Sequence, residues 1–105
     1  MNKPTLLTPE ETDQALAELN AGALEPWEIK DGKLLRRYDF KSFSDAFAFM
    51  TQTALECEKL DHHPRWVNVW KVVEISLFTF KVRGLTQRDF ALSTRMEAIA
   101  KKLLA

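Results

Sequence analysis

No disulfide can close within this chain, because Cys57 is its single cysteine. Its place in an apolar helical pattern marks a buried thiol rather than a reactive one. Glycine and proline are scarce, at three and four residues, which argues against extended disorder. Neither charge is in excess: lysine and arginine total 15, and so do aspartate and glutamate. That balance removes the long-range field that favours nucleic acid or an anionic membrane surface, so neither is expected as a partner. No apolar run approaches the ~18 residues of a membrane span. The opening MNKPTLLTPEE lacks the apolar centre of a secretory signal, and a cytoplasmic location is expected. Repeats, low-complexity segments and interdomain linkers are also missing.

What remains is the composition of an ordinary globular chain, with 46% apolar and 29% charged residues over 105 positions. Residues 1–105 are expected to form one domain with one modest core. Thr8, Pro9 and Glu11 give a cap, a first-turn proline and a capping glutamate, so a helix should run to about Asn20 with Leu16 and Leu19 inward and Gly22 ending it. Asp31-Gly32 suits a tight hairpin turn between strands at Trp27 to Lys30 and Lys33 to Phe40. On the second strand Leu34, Arg36, Tyr38 and Phe40 share one face, and Leu35, Arg37 and Asp39 the other.

Ser42 and Asp45 cap a long helix whose apolar stripe is read as Phe43, Ala46, Phe47, Met50, Ala54 and Cys57. Pro64 disfavours helix at His63, so the helix must end there. Strands are expected at Trp66 to Trp70 and Val72 to Phe80, the second with Val73, Ile75, Leu77 and Thr79 toward the core and Glu74, Ser76, Phe78 and Phe80 outward. Thr86 and Asp89 cap a last helix with Leu92, Met96, Ile99 and Leu103 on its inner face. The expected fold class is α+β, two layers in the order α-β-β-α-β-β-α, with a four-stranded antiparallel sheet and the helices on one face. The other face needs solvent or a cover, and Phe78 and Phe80 there suggest self-association.

Only two histidines exist, His62 and His63, adjacent and followed by Pro64. Three readings stay open on the residues alone. The rings could be polar groups at a helix end, bonded to backbone carbonyls. A metal site could draw on Cys57, Glu58 or Asp61, but adjacent rings rarely aim at one ion and the spaced pairs of zinc sites are missing, so no metal is expected. Acid and base catalysis is the third, because neighbouring imidazoles can give one proton and take another near neutral pH. With no activated nucleophile and no glycine-rich phosphate loop, the chemistry narrows to proton transfer, such as dehydration or isomerisation.

Glu58, three residues, His62, His63 and Pro64, then Trp70 and later Gly84-Leu85-Thr86 with Asp89, resemble the pterin-4a-carbinolamine dehydratases, also called 4a-hydroxytetrahydrobiopterin dehydratases. LDHHPRWVNVW carries most of the likeness, which spans nearly the whole chain. The resemblance implies a cytoplasmic lyase that removes water from a tetrahydropterin 4a-carbinolamine in pterin recycling, with no metal and no organic cofactor. His62 would move protons between the 4a-hydroxyl and N5, and His63 would hold substrate and polarise the leaving hydroxyl. Glu58, Asp61, Pro64, Trp66, Trp70, Phe80 and Asp89 would line or support the substrate site. Family members form homodimers by extending their sheets, and often tetramers. In animals one member also binds a transcription factor.

Phe80 departs from the family pattern, which has another histidine there, occasionally tryptophan, followed by a short acidic, glycine-containing turn. This chain reads Phe80, Lys81, Val82, Arg83 and Gly84. A phenyl ring cannot carry a proton, so weakened dehydration is implied, and the ring could instead stack on a pterin or pack at an interface. The alternative is a catalytically degenerate protein-binding module, such as the Rubisco assembly chaperones of autotrophic bacteria that some altered relatives look like. Basic Lys81 and Arg83 suit that alternative, and the intact histidine pair stands against it.

Overall fold

The computed structural model describes residues 4–105. Its elements follow the order read from the sequence: α1 (Pro9–Ala21), β1 (Glu28–Lys30), β2 (Lys33–Asp39), α2 (Phe43–Leu60), β3 (Arg65–Val69), β4 (Val72–Leu77), a 3-10 turn (Phe80–Val82) and α3 (Gln87–Leu104). The four strands form one antiparallel sheet in the order β1-β2-β4-β3. No helix among the described residues is long and apolar enough to cross a membrane.

Local chemistry explains most boundaries. Thr8 Oγ1 accepts from the Glu11 amide at 3.1 Å while Glu11 accepts from the Thr8 amide at 2.9 Å, which closes the start of α1. Asp31 and Gly32 take φ values of 53° and 74°, as a two-residue hairpin turn needs. Asp61, at φ 51°, ends α2 in the left-handed region, and Pro64 prevents its resumption.

The core fills the space between the sheet and helices. Leu34, Tyr38 and Phe40 of the β2 segment meet Val73, Ile75 and Leu77 of β4, with Phe49 of α2 and Leu92 and Met96 of α3 above them. Tyr38, Phe40 and Phe49 form a tight aromatic group with ring centroids 5.0 to 5.6 Å apart. Each such side chain contributes ~2 kcal/mol or more by leaving water. Cys57 is buried in this layer, and burial pushes its thiol up to about 11, so it is a packing group.

Two expectations are corrected. The buried stripe of α2 is Ala46, Phe49, Thr53 and Cys57, whereas Phe43 and Phe47 are exposed at 50% and 56% and Ala54 is exposed too. Apolar residues populate two faces of this helix, and spacing alone does not say which one the sheet selects. The strand expected to reach Phe80 stops at Leu77. Its neighbours run out there, since Leu34 pairs with Leu77 and Arg65 with Ser76 at the ends of the two ladders. Past that point Thr79 pairs only with Gly84, closing a loop that contains the 3-10 turn and leaving Phe80 75% exposed.

Arg36 breaks the apolar inner face of β2 and is buried. Its Nε lies 3.8 Å from Oε1 of Glu97 on α3, and its guanidinium stacks 4.0 Å from the centre of the Tyr38 ring. Glu97 also accepts from Trp27 Nε1 at 3.0 Å, from the Leu24 amide at 2.9 Å and from the Tyr38 hydroxyl. Burial, reinforced by the Glu97 carboxylate, raises the Tyr38 pKa far above its ordinary value and keeps the hydroxyl a donor. This cluster ties the α1–β1 connection and β2 to α3.

Candidate active site

The exit of α2 gives the two adjacent histidines different exposure and different partners. His62 is buried, with 7% of its surface exposed, while the His63 side chain is 58% exposed. The left-handed turn at Asp61 and the extended backbone that Pro64 imposes on His63 produce this split.

His62 Nε2 lies 2.6 Å from Oδ1 of Asp89, which is fully buried in the first turn of α3. The second oxygen of Asp89 accepts from the Thr86 amide at 2.9 Å and from the Thr79 hydroxyl at 2.7 Å. The Thr79 and Thr86 hydroxyls are 2.9 Å apart. Two donors converge on one Asp89 oxygen, which leaves the other as the acceptor that faces His62. We therefore assign the proton of the His62–Asp89 bond to Nε2, which leaves Nδ1 as the nitrogen with no carboxylate partner. His63 Nε2 lies 2.6 Å from Oε2 of the exposed Glu58, one turn back on α2. Each imidazole is thus oriented by one carboxylate, one buried and one in solvent.

Both rings open on a cleft of about 470 Å³ between the α2 exit and the β4–α3 loop. Asp61, Pro64 and Arg65 line one side; Phe78, Thr79, Phe80, Lys81 and Arg88 line the other. Phe80 meets Phe78 edge to face, with centroids 5.1 Å apart and planes at 78°. Among the described residues, no group of three or more His, Cys, Asp or Glu side chains is placed to hold a metal ion. A second cleft of about 490 Å³ lies on the open face of the sheet, bordered by Arg37, Arg65, Val67 and Glu74, and no histidine lines it.

Of the residues singled out from the sequence, His62, His63, Asp61, Pro64 and Phe80 line the cleft together. Glu58 and Asp89 reach it through the histidines they bond. Trp66 and Trp70 do not join them. Trp66 sits on the inner side of β3 and packs against the core. Trp70 occupies the β3–β4 turn at φ 53°, 67% exposed, with Lys71 Nζ 4.8 Å from the centre of its ring. Five residues of strand separate that turn from Pro64, ~17 Å at the usual rise. Sequence reasoning did not single out Thr79, Phe78, Arg65 or Arg88 for the site. A threonine closing an otherwise apolar inward run was the available signal for Thr79.

Comparison with known proteins shows the family of this chain. The family described as pterin 4 alpha carbinolamine dehydratase matches residues 5–99. A Chelativorans sp. (strain BNC1) protein named "Putative pterin-4-alpha-carbinolamine dehydratase" is 45% identical over 92 residues, covering 86% of this chain and 94% of its own. The crystal structure of a transcriptional coactivator/pterin dehydratase from Brucella melitensis superposes with a TM-score of 0.83 at 40% identity, covering 91% of this chain and 99% of that one. A pterin dehydratase-like protein identified as a RuBisCO assembly factor in the alpha-carboxysome superposes with a TM-score of 0.59 at 24% identity, over 70% of this chain and 86% of its own. That last likeness is one of fold. This chain belongs to the pterin 4 alpha carbinolamine dehydratase family.

Proposed function

We propose that the protein is a lyase that dehydrates the 4a-carbinolamine of a tetrahydropterin. The observation that carries this reading is the pair of carboxylate-oriented imidazoles, one deep and one at the mouth, on a single cleft. Dehydration needs one proton delivered to the departing 4a-hydroxyl and one removed from N5 as the C4a–N5 double bond forms. The hydroxyl leaves as water with the C–O electron pair, so no net redox change occurs. His62, locked by Asp89, is the proton-transfer group, and His63 supports the leaving hydroxyl. Phe80 offers its ring to the pterin face from across the cleft.

Homodimers and tetramers are the assemblies this reading brings with it, in a cytoplasmic setting. A protein-binding role is the second reading, favoured by the 75% exposure of Phe80 beside Lys81 at the cleft rim. The two separate in a dehydration assay on the wild type and on Phe80→His. A third imidazole in an intact pocket should raise the rate roughly 10- to 100-fold above wild type. A wild type no faster than the spontaneous reaction, together with an inert Phe80→His, would refute the enzymatic reading.

A further inference from the structure

We infer that the cleft selects a pterin whose side chain ends in an anionic group, a phosphate or a carboxylate. The inference rests on the pterin reading above and names the substrate class of that site. Two cations line the cleft with no ion-pair partner among the described residues: Arg65, at the start of β3, and Lys81, in the 3-10 turn. Arg88 of α3 lines it as well. The carboxylates nearby are otherwise committed or few. Asp89 lies behind His62 with both oxygens occupied, Glu58 is bonded to His63, and Asp61 is the one carboxylate in the lining itself.

A pterin ring is uncharged near neutral pH and offers these cations hydrogen-bond acceptors but no ionic partner. Its side chain is attached to C6, the carbon bonded to N5. Arg65 and Lys81 are exposed members of the lining, so an anionic side-chain end that reaches the solvent side of the cleft meets them. A cleft of about 470 Å³ falls within the size range that holds a ring together with its side chain. Charge-assisted bonds from a guanidinium or an ammonium to a phosphate or carboxylate are the stronger class of hydrogen bond.

Equilibrium binding of 7,8-dihydroneopterin, its 3′-monophosphate and 7,8-dihydrofolate to the whole protein tests this. At ~10 mM salt we expect at least one anionic ligand to bind about tenfold tighter than neutral dihydroneopterin. That advantage should shrink in ~0.5 M salt through screening, and disappear in an Arg65→Gln/Lys81→Gln double variant that still binds the neutral ligand like wild type. An advantage for the phosphate alone or for the folate alone identifies the anion. Equal affinity for all three, or an advantage that survives in the double variant, overturns the inference and leaves the dehydratase reading standing. Failure to bind any of the three overturns the inference, and the dehydration assay on the wild type then decides the reading it rests on.

Discussion

Asp89→Ala is expected to destabilise the protein by ~3–5 kcal/mol and to lower the dehydration rate about 100-fold in the fraction that folds. The side chain is fully buried and serves three donors: His62 Nε2, the Thr86 amide and the Thr79 hydroxyl. Alanine leaves all three without that acceptor and removes the group that fixes the His62 ring. Asp89→Asn separates the two effects. Its amide oxygen can still accept from Thr86 and Thr79, so most stability should survive, with a loss of ~1–2 kcal/mol. Its NH₂ then faces Nε2, which must become an acceptor, and the proton moves to Nδ1. A base in the wrong tautomer is a poor base, so the rate should fall nearly as far as in Asp89→Ala while the KM stays close to wild type. The pH–rate profile should shift as well, which a purely structural role for Asp89 would not produce. Denaturant midpoints and steady-state kinetics on both variants check this, and an Asp89→Asn protein with full activity would contradict it.

Glu97→Ala should be as damaging to stability, at ~3–5 kcal/mol, with no direct effect on the chemistry. Removing the carboxylate leaves the Arg36 guanidinium, whose side chain is 4% exposed, with the exposed Glu25 at 4.0 Å and the Arg37 carbonyl as its remaining polar partners, and takes the acceptor from Trp27 Nε1, the Leu24 amide and the Tyr38 hydroxyl. Breaking one side of a buried ion pair costs more than the pair contributes, because the remaining charge has to stay in low dielectric. The double variant Arg36→Met/Glu97→Leu should therefore recover the part of the loss that comes from the Arg36 charge, measured as the urea midpoint, while the three unpaired donors keep it below wild type. A Glu97→Ala protein within 1 kcal/mol of wild type would mean that water or a rearranged Arg36 compensates the site.

Local signals carried much of the fold. The capping pairs Thr8 with Glu11 and Thr86 with Asp89, the Asp31-Gly32 turn and the Pro64 break act over a few residues, and each appears where its chemistry predicts. Tertiary choices were not legible in that way. Phe43 and Phe47 follow helical spacing as well as Phe49 does, and only the position of the sheet decides that Phe49 is the one buried. Phe80 continues a period-two pattern, but a strand lasts only as long as its neighbours, and both stop before it.

The site divides along the same line. The histidine pair and its proline are visible as a motif. The split between a buried and an exposed ring is not, because it depends on Asp89 arriving from 27 positions away. Asp89 reads from its spacing to Thr86 as a helix-capping residue, and the family resemblance alone adds it to the site. In the fold one oxygen does that work and the other holds His62. Arg36 is the imperfection in the β2 alternation, and its reason, Glu97, lies on the last helix.

The central claim is that His62 and His63 on this cleft dehydrate a carbinolamine. The most direct measurement follows decay of a freshly generated 4a-hydroxytetrahydropterin with wild type and with His62→Ala side by side. The account predicts acceleration over the spontaneous rate by wild type, and a loss of at least about 100-fold in that acceleration in His62→Ala. Wild type and variant decaying the substrate at the same rate would contradict it.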